Sequence, residues 1–320
     1  MTNFRVGLVG LGMMGRHHKR VLSQLDGIDF VGIFDPAAQD IAQVDSPPVF
    51  ADLNDLVQLG LDYCVIAAPT AFHLELGLKL ASQNIHCLIE KPVAVNTEEA
   101  VQLVEAFCNA NLIGAVGHIE RFNPAIQAMR QKIGEGLLGE IFQISTRRQG
   151  PFPARVADVG VIKDLATHDI DLTAWVANSP YVSVSAHTTH RSARIHEDMV
   201  VAIGRLESGV IVNHVVNWLS PFKERNITVI GERGSLVADT LTADLTFYAN
   251  GLAVNEWDNI STFRGVAEGD VVRFALKKPE PLLTQHITFR DAVKSGNCSN
   301  IVTLRDGLAA VSIADQMLRA

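Results

Sequence analysis

Cysteine is scarce in this sequence, and its spacing suits neither metal binding nor disulfide frameworks. The four cysteines, Cys64, Cys87, Cys108 and Cys298, form no C-x-x-C pair, which removes the common zinc and redox motifs, and no metal site is expected. Three of them, Cys64, Cys87 and Cys108, fall in apolar stretches where a reduced, buried thiol is expected. Long apolar runs are missing too; none approaches the roughly 18 residues that a membrane span needs. Met1–Val6 leads straight into a strand pattern without a signal-peptide layout, so a cytoplasmic protein with no membrane partner is expected. Dense Lys/Arg runs are also absent. Lys plus Arg number 27 against 35 Asp plus Glu, a net charge of −8. Such a balance gives no general attraction for nucleic acid. There is no internal repeat and no low-complexity segment.

What remains is the composition of an ordinary folded protein: 320 residues, 48% apolar and 19% charged. That length favours two domains, and the pattern divides near residue 119. Over 1–119, short apolar runs alternate with helical stretches. Phe4–Val9, Phe30–Phe34, Tyr63–Ala68, His86–Ile89 and Ile113–Gly117 read as strands. Arg16–Leu25, Asp52–Leu59 and Ala71–Ser82 read as helices, and Asn96 with Glu99 forms a capping-box pattern for a fourth. Continuous apolar strands between helices mean a parallel sheet covered on both faces, a doubly wound α/β domain. Over 120–320, Asn123-Pro124 starts a helix. Longer alternating strands follow at Ile141–Arg147, Val182–His190, Met199–Leu206, Val210–Trp218, Arg225–Ile230 and Ser235–Asp239. Glu207-Ser208-Gly209 joins two of them as a hairpin. This is an α+β domain with a mostly antiparallel sheet, interrupted by a helix over Gly160–Val176 and closed by helices over Leu282–Lys294 and Leu304–Leu318. A free sheet face suits subunit contacts, so an oligomer is expected.

Gly10-Leu11-Gly12-Met13-Met14-Gly15 follows a strand and opens a helix, the context that the G-x-G-x-x-G pattern requires. Gly10 permits the tight turn, Gly12 lets a pyrophosphate approach, and Gly15 lets helix and strand pack closely. The helix start offers free N–H groups and partial positive charge to phosphates. Asp35 ends the second strand, about 20 residues past the loop, where a carboxylate accepts hydrogen bonds from the adenosine ribose. It would repel a 2′-phosphate, and Pro36-Ala37-Ala38 brings no cation. NAD is therefore favoured over NADP. The plain alternative is a glycine-rich turn with an Asp that caps a loop.

Two further segments lie at strand ends: Pro69-Thr70-Ala71-Phe72-His73 and Glu90-Lys91-Pro92. Open α/β sheets bind ligands there, although Thr70 could simply cap a helix and Lys91 could be a solvated loop lysine. In the second half, Asp164 and His168 are four residues apart, on one helix face, and Asp171 follows three later. A helix-surface pair is the ordinary reading of such a spacing.

Taken together, these segments resemble the glucose–fructose oxidoreductase/inositol dehydrogenase (Gfo/Idh/MocA) family over essentially the whole chain. The resemblance implies an N-terminal Rossmann domain, a C-terminal domain with a large open sheet, a homodimer or homotetramer built through that sheet, a nicotinamide cofactor and a sugar, cyclitol or similar polyol substrate. It implies that Lys91, Asp164 and His168 are catalytic. It implies that Pro69, Thr70, His73, Glu90 and Lys91 line the cofactor beside Gly10, Gly12, Met13, Met14, Gly15 and Asp35. The segment His118-Ile119-Glu120-Arg121-Phe122-Asn123-Pro124 looks like the family's crossing beside the nicotinamide, which puts His118, Arg121 and Asn123 among substrate-binding candidates; Asn123 reads equally as a helix cap. Its Glu-Arg-Phe-Asn-Pro wording is similar to members that oxidise the 3-hydroxyl of UDP-N-acetyl-hexosamines. Many members carry three glycines before the catalytic helix, where this chain has Val159-Gly160-Val161-Ile162-Lys163; Lys163 adds a charge there and is a further substrate-binding candidate.

The expected activity is hydride transfer between a sugar or nucleotide-sugar secondary hydroxyl and nicotinamide. His168 suits the base, Lys91 the stabiliser of a developing alkoxide, and Asp164 the orienting group. Arg147, Arg148, Arg155, Arg191 and Arg194 could hold a diphosphate. The alternatives are an inositol or cyclitol dehydrogenase and a non-catalytic dinucleotide-sensing regulator. His17 and His18, just after the glycine loop, read as solvated or helix-packed.

Overall fold

A computed structural model describes residues 3–37, 47–153, 159–192, 195–251 and 268–319. The chain divides into two units, Met1–Ile119 with Glu280–Asp315 and Glu120–Pro279 with Gln316–Ala320.

The first unit is built on six parallel strands: β1 (Phe4–Val9), β2 (Ile28–Phe34), β3 (Val49–Phe50), β4 (Tyr63–Ile66), β5 (His86–Ile89) and β6 (Gly114–Val116). Their order is β3-β2-β1-β4-β5-β6. Between them run α1 (Met13–Leu22), α2 (Leu53–Val57), α3 (His73–Ala81) and α4 (Thr97–Asn109). This is the doubly wound dinucleotide-binding arrangement, whose ligand crevice opens where the strand order reverses, between β1 and β4. All four residues of β4 are buried, which explains an apolar run without alternation. β3, two residues long, is too short to show any period. The α4 start follows its sequence signal: Asn96 accepts from the Glu99 amide at 2.8 Å, a cap contributing about 1 kcal/mol. Glu99 reaches back to the amide of Val95, one residue before the cap.

The second unit carries eight strands in the order β14-β13-β12-β11-β7-β10-β9-β8. They are β7 (Ile141–Pro151), β8 (Tyr181–Thr189), β9 (Met199–Leu206), β10 (Ile211–Asn217), β11 (Leu219–Gly231), β12 (Gly234–Asp239), β13 (Asp244–Asn250) and β14 (Glu268–Arg273). Every pairing is antiparallel except β7 with β10. Two helices, α5 (Pro124–Gly134) and α6 (Thr167–Ala177), cover one face. Ile126 and Met129 of α5 and Leu172 and Val176 of α6 pack with Ile144, Val212, Val229 and Leu236 of the sheet. Each such side chain contributes roughly 1.5–3 kcal/mol on burial. β11 starts six residues earlier than its alternation suggests, because Pro221 interrupts the pattern and the register shifts between Leu219 and Glu224.

The closing helices, α7 (Pro281–Ser295) and α8 (Leu304–Arg319), follow the second sheet in sequence. Up to Asp315 they cluster with the first unit. Phe289, Ala292 and Ile301 share a core with Val6, Leu8, Tyr63 and Val65. Cys64 and Cys87 are buried at paired positions of β4 and β5. Cys108 is exposed, contrary to its apolar sequence surroundings, because α4 turns Ala100, Leu103, Val104 and Phe107 inward and Cys108 falls about 90° round the helix from the middle of that stripe.

Candidate active site

In the first unit the glycine loop has the shape that a dinucleotide demands. Gly10 has φ +93° and lies against Ala67: a Cβ there would sit 2.6 Å from the Ala67 carbonyl oxygen. At Gly15 a Cβ would sit 2.0 Å from the Gly10 carbonyl oxygen. Neither position admits a side chain. Gly12 differs, since a Cβ there would meet nothing within 4 Å. That open space stands at the start of α1, whose first turn carries no acidic residue and whose free N–H groups favour an anion. Met13 is exposed and Met14 half-buried at the same helix start. Asp35 is half-buried beyond β2, and its carboxylate accepts from the Leu11 amide at 2.7 Å and the Ala37 amide at 2.9 Å. These bonds fix the side chain against the loop and leave lone pairs on both oxygens for a ribose diol. The residues present therefore fit a dinucleotide.

The ends of β4 and β5 are tied together. Pro69 is exposed and Thr70, buried, begins a 3-10 turn over Thr70–Phe72 with no side-chain cap, so Thr70 does not serve as the helix cap considered above. His73 is buried, with Nδ1 3.0 Å from the Pro92 carbonyl and Nε2 2.9 Å from the Ala68 carbonyl. Burial holds its pKa down against those two bonds. Both ring nitrogens thus lie against protein carbonyls, one of which a neutral ring can bond, and His73 packs between the two strand ends. Glu90 is buried at the end of β5, and Lys91 beside it is half-buried and precedes a cis peptide to Pro92. Burial pushes the Glu90 carboxyl up, but a 2.9 Å bond to His18 and the charge of Lys91 outweigh it and hold the group below its usual range. His18 is fully buried and hydrogen-bonded on both sides, so of the two readings for it packing holds and solvation does not; His17 is exposed. His118 is buried at the end of the first unit.

In the second unit the segment expected as one helix over Gly160–Val176 has two parts. A π-helical turn, Ile162–Ala166, carries Lys163 and Asp164; α6 then carries His168. Single π turns recur at functional sites. Two features hold this one: the Ile162 amide donates to Glu197 Oε1 at 3.0 Å, and Thr167 Oγ1 donates to the Lys163 carbonyl at 2.9 Å. Lys163, Asp164 and His168 are all buried. α6 ends on Asn178 in a left-handed conformation, φ 49°, which Asn tolerates.

Under this segment lies a buried ionic network. Arg121 grips Asp171 with two bonds, through Nε at 2.8 Å and through Nη2. Arg148 donates to Asp169 at 2.9 Å and to Glu120 at 2.8 Å. Burial alone would lower the Arg148 pKa, but Asp169 and Glu120 raise it further. Burial pushes Asp169 up in spite of Arg148. Asp171, which shares a helix face with His168 in the sequence pattern, therefore anchors Arg121. Asn123 acts as the α5 cap, accepting from the Ala125 amide at 3.0 Å and donating to the Thr240 carbonyl at 2.9 Å. Of the arginines suggested for a diphosphate, Arg148 is consumed inside, Arg147 is exposed, and Arg191 is exposed with its amide bonded to Asp198. Arg155 and Arg194 lie outside the described residues.

Sequence reasoning missed Glu197, His286 and the partners of Arg148. Their contacts cross 35, 268 and 21–28 residues of chain, so no local spacing announces them.

Residues 4–118 match the family model described as oxidoreductase family, NAD-binding Rossmann fold. Residues 126–237 match the GFO/IDH/MocA C-terminal domain. A UDP-N-acetylglucosamine 3-dehydrogenase of Acidithiobacillus ferrooxidans is 30% identical over 254 residues, 78% of this chain and 79% of that protein. A scyllo-inositol 2-dehydrogenase (NAD(+)) of Bacillus subtilis is 26% identical over 253 residues, 74% of each chain. The solved structure of the Acidithiobacillus ferrooxidans enzyme covers 100% of this chain and 98% of its own, with a TM-score of 0.85 at 26% identity. The protein belongs to the Gfo/Idh/MocA oxidoreductase family. It is a nicotinamide-dependent dehydrogenase acting on a CH–OH group.

Proposed function

We propose that this enzyme uses NAD to oxidise a sugar secondary hydroxyl, and that its substrate is a UDP-N-acetyl-hexosamine oxidised at position 3. The observation that carries the substrate reading is the 30% identity, over 78% of the chain, to a UDP-N-acetylglucosamine 3-dehydrogenase. Support for NAD comes from Asp35, held against the glycine loop with both oxygens able to accept further bonds. The pyrophosphate is held by the amides of Gly12, Met13 and Met14, over the side-chain-free surface that Gly10 and Gly15 maintain. Pro69, Thr70 and Glu90 complete that side of the site. Bound NAD supplies the hydride acceptor. The protein's part is to take the hydroxyl proton and steady the oxygen that loses it. Imidazole exchanges protons near neutral pH, and His168 is the base in this scheme. Asp164 orients it, and the Lys91 ammonium stabilises the developing alkoxide. Lys163, buried on the same π turn as Asp164, contributes a second cation toward the substrate. Arg121 and Asn123, spent on Asp171 and on the α5 cap, act as framework.

A cyclitol substrate is the second reading. Arg121 and Arg148 are consumed by internal carboxylates, which leaves fewer arginines for a diphosphate, and inositol dehydrogenases are among the relatives.

The test is NADH formation at 340 nm with UDP-N-acetylglucosamine, free N-acetylglucosamine and myo-inositol. Turnover of the UDP-sugar alone is expected; turnover of inositol alone would move the enzyme to the cyclitol reading. His168→Ala should lose hydride transfer while binding NADH normally, and retained turnover would reject its role.

We further propose a cytoplasmic homo-oligomer joined through the open face of the second sheet. That face carries exposed Val201, Ile203, Ile211, Ile230, Tyr248 and Val271.

A further inference from the structure

Next to Lys91 in sequence, Glu90 starts a chain of buried polar groups whose two histidines the mechanism above does not use. Glu90 Oε1 is 2.9 Å from His18 Nε2, and His18 Nδ1 is 2.8 Å from His286 Nε2. His18 and His286 are both 0% exposed. Their rings meet edge-on, centroids 5.0 Å apart at 80°. The other oxygen of Glu90 faces the Lys91 amide at 3.3 Å. Gly117 clears room for the carboxylate: a Cβ there would lie 2.6 Å from Glu90 Oε1.

We propose that His18 and His286 are positioning residues for Lys91: they hold the Glu90 carboxylate in place and ionised, and Glu90 sets the charge that the lysine amine feels. The inference rests on the reading of Lys91 as an active-site lysine.

The direction of the hydrogen bonds supports it. A carboxylate only accepts, so His18 Nε2 must be the donor. His18 Nδ1 in a neutral ring is then an acceptor, and His286 Nε2 donates to it. That leaves a lone pair on His286 Nδ1, and this is the nitrogen that has no hydrogen-bond partner among the described residues. An unmet lone pair costs less than a buried, unmet N–H. Burial keeps His286 well below its usual pKa, in keeping with a neutral ring. One polarity thus pairs every ring N–H in the chain and leaves only a lone pair unmet. An ionised carboxylate buried without such a donor would take up a proton instead. Glu90 in turn bears on His73, whose pKa burial holds below its usual value. The geometry also links three elements: α1, which begins at the glycine loop and carries His18; α7, which carries His286; and the end of β5, which carries Lys91.

The test reads the lysine directly. The enzyme is labelled with 13Cε-lysine, and the Lys91 signal, identified by its loss in Lys91→Met, is titrated with and without NADH. His286→Phe fills the space but removes the donor; His286→Gln restores one; Glu90→Gln removes the charge without touching either histidine. The titration midpoint of Lys91 is expected to fall by about one pH unit in His286→Phe and Glu90→Gln and to return toward the wild-type value in His286→Gln. In parallel, kcat with NAD and UDP-N-acetylglucosamine should fall about tenfold in His286→Phe, with KM changed less than twofold. An unchanged midpoint in Glu90→Gln overturns the proposal even if His286→Phe does not fold. So does a midpoint in folded His286→Phe that matches wild type. If Lys91→Met turns over normally, the reading of Lys91 itself fails, whatever the histidine variants do.

Discussion

Gly160 and Glu197 compete for one space: a Cβ on Gly160 would sit 2.1 Å from the carboxylate atoms of Glu197. The bare glycine lets the buried Glu197 carboxylate reach the Ile162 amide, while the Glu197 carbonyl accepts from the Val161 amide at 3.0 Å. Glu197 thus clamps the π turn that carries Lys163 and Asp164. Gly160 stands at the position where that clamp closes.

Gly160→Ala should therefore force Glu197 out of its seat. A loss of about 1–3 kcal/mol in stability is expected, as for other overpacked sites. Displacing the turn by about 1 Å should lower kcat about 100-fold. Glu197→Ala removes the clash, so the double variant should be no less stable than Glu197→Ala alone. Urea denaturation of the four proteins checks this, and strictly additive losses would reject the shared-space account.

Asp35 should set the cofactor preference. Asp35→Ser loses the ribose acceptor and frees the Leu11 amide, so NAD affinity should fall about 10–100-fold, the cost of one or two charge-assisted bonds. NADP should gain relative to NAD, because the carboxylate that repels its 2′-phosphate is gone. Fluorescence titration with NADH and NADPH measures both; an unchanged NADH affinity would sink this reading of Asp35.

The open sheet face should carry self-association. Val201 and Ile203 of β9 stand beside Ile211 of β10, with Ile230 and Tyr248 further along the sheet. A stable interface buries about 800 Å² on each partner, and a contiguous apolar face of a few hundred Å² already marks a contact site. Sedimentation should find at least a dimer, and Ile203→Arg should release monomers that still bind NADH. A monomeric wild-type enzyme would refute the assignment.

The elements that the sequence revealed are those whose signal is local. Strands β1, β4, β5 and β9 show as apolar or alternating runs, and the glycine loop and Asp35 lie within one strand–helix–strand unit. What stayed hidden depends on partners far along the chain. Spacing put Asp164, His168 and Asp171 on one helix face, but spacing cannot say what stands opposite. Arg121 stands opposite Asp171, a partner that no spacing near either residue announces. The π turn was invisible because Ile162–Ala166 has ordinary helical composition; the long-range bond from Glu197 helps to hold it. His18 looked solvated or merely packed because its partners, Glu90 and His286, lie 72 and 268 residues away.

Stability should fall as the solution is acidified from neutral pH, and buried histidine should be a main cause. His214 is fully buried between Thr146, at 2.7 Å from Nδ1, and Tyr181, at 2.7 Å from Nε2. Burial lowers its pKa from 6.5 to about 4. Above pH 6.5 the ring is neutral in both states and stability is unaffected. Between 6.5 and about 4 the unfolded chain binds a proton that the folded protein refuses, so stability drops as pH falls. At about 1.4 kcal/mol per pH unit, the ceiling is about 3 kcal/mol. His73 and His286, also held low by burial, act in the same direction. Asp169, held high, opposes them, because the folded protein there takes its proton first. Urea midpoints at pH 7.5 and pH 5 should therefore differ clearly in the wild type and less in His214→Gln. Equal declines in the two proteins would place the acid sensitivity elsewhere, with the pair His18–His286 the next site to examine.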